Sequence, residues 1–143
     1  MGIYLDIELA VQAENKDKVI ALFSENDIEF TDLQDGSSHI EGENLALFLL
    51  SNREYAEIDA ESALLVEHGI QYSAFNYGVY GEVDEQIRNM RIQDGRFIFM
   101  TFDLDESKIS YTDLQELIDT SKSLVELQSL IEQHRNKEKT LDW

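Results

Sequence analysis

A chain of 143 residues that is 43% hydrophobic and 10% aromatic carries enough apolar material for one core, burying roughly two-thirds of its unfolded surface, so its net charge of −19 does not place it among disordered chains. The absence of cysteine removes disulfides, thiolate metal sites and cysteine nucleophiles together, and favours an intracellular setting. A field set by 30 acidic against 11 basic side chains repels nucleic acid and anionic lipid. The opening Met1–Glu8 lacks the basic-then-apolar order of an export signal, and no apolar run approaches the ~20 residues that span a bilayer, so a cytoplasmic protein is expected.

Along the chain, Ile3, Leu5, Ile7, Leu9 and Val11 alternate with more polar residues, the period-two pattern of a strand over 2–12 with one buried face. Asn15 is placed to cap a helix whose Val19, Leu22 and Phe23 share a side and which ends near Glu25 and Asn26. Ile28, Phe30 and Leu33 predict a short strand, Asp35-Gly36 a turn, and 38–41 a brief returning strand. The run Leu45–Leu50 is apolar throughout and reads as a strand covered on both faces. Ser51 and Glu54 have capping-box spacing and predict a second helix from there to His68, closed by Gly69.

Strands are then expected over 70–80, 82–93 and 96–104, forming a meander, the last two joined by an Asp94-Gly95 hairpin turn. Apolar residues on both sides of the last strand predict a central or doubly covered position. Ser110 and Asp113 are placed to cap a carboxy-terminal helix carrying Leu114, Leu117, Ile118, Leu124, Leu127, Leu130 and Ile131, with a break at Thr120-Ser121. The tail 135–143 is expected to fray, with Trp143 able to dock. The reading is a single α+β domain over 1–143, a mostly antiparallel sheet packed against two or three helices.

Motifs for chemistry are sparse. His39, His68 and His134 lie in separate elements with no second ligand at metal spacing. Asp103-Leu104-Asp105-Glu106 opens like a calcium loop, but Lys108 stands where glycine is needed and Leu114 where the closing glutamate is needed. Gly78-Val79-Tyr80-Gly81 lacks the lysine or third glycine of a phosphate loop, and no nucleophile elbow is present. No catalytic residue, cofactor or metal is therefore expected. The tyrosines around Tyr72–Tyr80 lack the cations that a base-stacking platform needs, and suit a protein interface better.

The charge is unevenly placed. Between Val19 and Ile87 there are 15 acids and one base, Arg53, so −14 of the total −19 lies there. A concentrated acidic surface suits a basic partner, with steered association. The expected function is an acidic, non-catalytic binding protein that neutralises a basic, nucleic-acid-acting partner by occupying its cationic site. An immunity protein of a nuclease toxin and an antirestriction or anti-CRISPR DNA mimic fit equally. The expected partner-binding residues are Glu54, Glu57, Asp59, Glu61, Tyr72, Tyr77, Tyr80, Glu82, Asp84 and Glu85, taken as exposed. The alternatives are an adaptor or assembly module, including a homodimer through the last helix, whose acidity is only solvation, and a small enzyme with an unreadable site.

Overall fold

The structure, a computed structural model, describes residues 2–33, 39–104, 111–135 and 141–143, with the backbone alone described for 111 and 132–135. Contacts gather the chain into two compact units, Met1–Leu104 with Thr140–Trp143, and Asp105–Lys139.

The first unit is an antiparallel sheet in the order β2-β3-β1-β4-β5-β6. Its strands are β1 (Tyr4–Gln12), β2 (Thr31–Leu33), β3 (Leu45–Glu54), β4 (Tyr72–Asn76), β5 (Gln86–Gln93) and β6 (Arg96–Asp103). Helices α1 (Lys16–Glu25) and α2 (Asp59–Glu67) belong to this unit. The α+β reading and the β4-β5-β6 meander hold. β1 is central because its alternation meets partners on both sides: Leu9 faces Phe48 of β3 and Ala74 of β4, and all three are fully buried.

One sheet face is closed. Leu9, Val11, Phe48, Leu50 and Met90 pack with Val19, Leu22 and Phe23 of α1 and Leu65 of α2 in the larger core. Phe23, Phe30 and Phe48 meet edge-on or tilted, with ring centroids 5.6–6.3 Å apart, the geometry that aromatic quadrupoles prefer. The opposite face holds a smaller cluster, Ala10, Ile40, Phe75 and Ile87, flanked by Leu45, Leu47, Leu104 and Trp143. In the run Leu45–Leu50, Ala46, Phe48 and Leu50 are buried on the closed face, while Leu45, Leu47 and Leu49 on the other are only half-buried, so the second face is covered in part.

Several boundaries differ from the sequence reading. Ser51–Glu54 extends β3 instead of starting a helix, because Arg53 and Glu54 continue the ladder opposite Leu5 and Tyr4. The chain then turns through positive φ at Tyr55 (50°) and Ala56 (57°), and α2 begins only at Asp59. Residues 39–41 form no strand, and 77–85 is a turn closed by a Val79–Val83 bridge in place of strand ends. Asn15 stands at the start of α1 but makes no side-chain cap bond, since a 3-10 turn over Ala13–Asn15 leads directly into it. β6 is an edge strand with Phe97, Phe99 and Met100 exposed, so it is neither central nor covered on both sides. The Asp35-Gly36 turn, the Ser110 cap and residues 136–140 of the tail lie outside the described residues.

Trp143 does dock. The Arg91 guanidinium, 2% exposed, donates to the carbonyls of Tyr72 (2.6 Å), Met90 (3.0 Å), Leu141 (2.8 Å) and Asp142 (3.0 Å) and to the Ser73 hydroxyl (2.8 Å). Its carbon lies 3.8 Å from the centre of the Trp143 ring, a cation–π contact, while Trp143 Nε1 donates to the Glu41 carbonyl. Burial lowers the Arg91 pKa to about 10, against the opposing pull of Asp142, so the group stays charged at neutral pH.

The second unit contains α3 (Tyr111–Thr120) and α4 (Leu124–Arg135), broken where the sequence suggested. Thr120 and Ser121 turn their hydroxyls back onto carbonyls of Glu116 and Ile118, ending α3. Ser123 Oγ accepts the Glu126 amide while Glu126 Oε2 accepts the Lys122 amide, which starts α4.

Candidate functional site

The antiparallel register brings the amino end of β1, the carboxyl ends of β3 and β4, and the amino end of β5 to one end of the sheet, through the pairs Tyr4–Glu54, Ile7–Asn76 and Asn76–Gln86. The two turns that leave β3 and β4, residues 55–58 and 77–85, are therefore at that same end. They carry most of the partner-binding residues expected from the sequence. Glu54, Glu57, Asp59, Glu82 and Asp84 are exposed and Glu85 is half-buried. Tyr77 is 56% exposed and Tyr80 fully so. Asp59 also sits in the first turn of α2, where the helix dipole favours an acid irrespective of any partner.

Two expected site residues are not at the surface. Glu61 is 1% exposed and ion-paired to Arg53 at 2.7 Å, because the helix starting at Asp59 turns that position toward the sheet. Tyr72 is 4% exposed, its hydroxyl 2.7 Å from that of Ser62 and its ring in the larger core. Neither is available to a partner.

Cations at this end are turned inward. Arg53 is held by Glu61 and by the Glu29 carbonyl. Arg88 donates to the Ala56 carbonyl at 2.7 Å, and burial holds its guanidinium below the ordinary range against the raising influence of Tyr72 and Asp59. Both guanidiniums thus stitch the 53–61 segment to the fold, while Glu54, Glu57 and Asp59 of the same segment are exposed. Asn76 completes the frame by donating to the Tyr77 and Asp84 carbonyls across the base of the second turn. Gly78 allows that turn to close: a Cβ there would lie 2.7 Å from the Glu85 amide nitrogen.

On the less covered sheet face, this end opens into a cavity of 460 Å³ lined by Tyr4, Leu5, Asp6, Glu8, Leu49, Phe75 and Tyr77. Glu8 sits opposite Leu49 on one side and Phe75 on the other. Its Oε2 is buried without a hydrogen-bond partner among the described residues. Asp6 Oδ1 accepts the Asn52 amide at 3.0 Å, where β3 bulges with Asn52 at a φ of 60°. His39 stacks on Phe75 at 4.2 Å and is hydrogen-bonded to the Tyr77 hydroxyl at 3.1 Å, and Tyr77 stands edge-on to Phe75 at 4.9 Å.

Of these lining residues, sequence reasoning singled out Tyr77 alone. The alternation of β1 did place Tyr4, Asp6 and Glu8 on a common face, and that was the legible signal for them. The approach of His39 to Phe75 is a contact between a loop and β4, far apart in sequence, that no local pattern signals.

Among the described residues, no group of three or more His, Asp or Glu is placed to hold a metal ion, and no helix is long and apolar enough to cross a membrane. Against protein-family models, curated proteins and solved structures, the chain has no match.

Proposed function

We propose that the chain is a non-catalytic binding protein that neutralises a basic, nucleic-acid-acting partner by covering its cationic site with the acidic end of the sheet. The observation that carries this reading is the segregation at that end: Arg53 and Arg88 are held by internal partners, while Glu54, Glu57, Asp59, Glu82 and Asp84 are exposed at the same end of the sheet as the exposed Tyr77 and Tyr80. Aromatic anchors within a charged rim supply binding energy and steer encounter. A groove built to hold phosphates is the natural complement of such a surface. The clustering around tyrosines supports the immunity-type version, which needs a local patch, over a DNA mimic, which needs carboxylates arrayed along an extended face.

The test is affinity capture from the source cells with the native chain and with a variant carrying Glu54, Glu57, Asp59, Glu82 and Asp84 changed to Lys. The expected result is one basic nuclease or nucleic-acid-binding protein recovered by the native chain alone and inhibited at one-to-one stoichiometry. Recovery of the same proteins by both chains would leave the acidity as solvation.

A further inference from the structure

The cavity at the acidic end has a chemistry narrower than negative charge, and we propose that it receives the alkylammonium head of a lysine side chain from the bound partner. This rests on the acidic end being a recognition surface, but it is tested separately. At 460 Å³ the cavity lies within the range of about 300–1,000 Å³ typical of ligand sites. Its walls combine aromatic rings, Tyr4, Phe75 and Tyr77, with an aliphatic floor from Leu49 and two carboxyl side chains, Asp6 and Glu8.

That combination selects for a cation on an apolar stem. Ring faces attract an ammonium through their quadrupole while the stem lies along apolar surface. Anions meet Asp6 and Glu8, and a neutral apolar group would leave the buried Glu8 Oε2 without a partner, at a desolvation penalty. An ammonium in the cavity is met by the negative charge of the half-buried Glu8 carboxylate and of the exposed Asp6. The wall is also fixed in place. His39 braces both rings, by stacking on Phe75 and by its hydrogen bond to Tyr77, and the Asn52 amide holds Asp6. Preorganisation of this kind lowers the ordering penalty of binding.

The experiment is an NMR titration of the full chain with n-butylammonium, n-butyrate and a short neutral-flanked lysine peptide, following the ring resonances of Tyr77 and Phe75. Native protein is expected to show saturable shifts with n-butylammonium and none with n-butyrate, and to bind the lysine peptide more tightly than the free amine. Glu8→Gln and Tyr77→Leu are each expected to weaken both cations about tenfold, the equivalent of one strong charge-assisted or cation–π contact. Unchanged Phe23 and Phe48 resonances in both variants would show the closed core intact. No saturable shift, equal binding of n-butyrate, or an unaffected Glu8→Gln variant would each overturn the pocket. A peptide no tighter than n-butylammonium would overturn the partner-lysine assignment in favour of a free amine. If the pocket fails while the five-site lysine variant still loses its captured partner, the acidic surface stands without this pocket.

Discussion

Two charged side chains lie on the same face of the sheet, Arg91 fully buried and Glu8 half-buried, and they are treated in opposite ways. Arg91, on β5, is met by four carbonyls, a hydroxyl and an indole ring, all from the chain itself. Glu8, on β1 toward the opposite end of the strands, has a buried carboxyl oxygen with no protein partner among the described residues and sits among tyrosine and phenylalanine rings in an open cavity. A buried charge with every bond made is a structural device, since removing it strands its partners. A buried polar atom left unmet is instead costly to the fold and calls for an explanation of its own. The contrast separates the clasp that holds Leu141–Trp143 from the end of the sheet proposed as the partner-binding surface.

The sharpest way to break this contrast is at the clasp. Arg91→Met would leave the carbonyls of Tyr72, Leu141 and Asp142 without their donor and release the indole, with an expected loss of about 3 kcal/mol in chemical denaturation and a red shift of Trp143 fluorescence. A smaller loss, about 2 kcal/mol, is expected for Gly42→Ala: the added Cβ would lie 2.6 Å from Trp143 Nε1, at a φ of +147° that disfavours a side chain. Retention of native stability in either variant would mean that the docked carboxyl terminus contributes little to the fold. At the acidic end the scale falls. Single Glu57→Ala or Glu82→Ala changes are expected to move the unfolding free energy by no more than about 0.5 kcal/mol, because these side chains are exposed. A loss above 1 kcal/mol in either of them would assign it a structural part.

How much of this was legible in the sequence follows from the range of the interactions involved. The closed face was readable because its periodicity is local: Leu9 and Val11 at period two, and Val19, Leu22 and Phe23 at helical spacing, are all buried as expected. The start of α2 was not. Ser51 and Glu54 satisfy a local capping pattern, yet Arg53 and Glu54 pair with Leu5 and Tyr4 some fifty positions away, and the ladder outcompeted the cap. Glu61 and Tyr72 were missed for a different reason: they are buried against Arg53 and Ser62, which are near in sequence but belong to neighbouring elements whose packing the sequence does not display. The acidic end was half legible. Its carboxylates were visible as a charge imbalance and its tyrosines as a cluster, but their convergence required the register of β1 with both β3 and β4. The apolar pattern of β6 misled for a simpler reason, since alternation reports which side chains share a face and not whether that face is covered.

The most direct test of the contrast is the unfolding free energy of Glu8→Gln measured beside that of the native chain. The account predicts a stability within about 0.5 kcal/mol of native, or higher, because the substitution keeps the shape of a half-buried side chain whose Oε2 has no hydrogen-bond partner among the described residues. A loss of about 2 kcal/mol or more would contradict it, placing Glu8 among the structural charges with Arg91 and removing the reason for an open site at that end of the sheet.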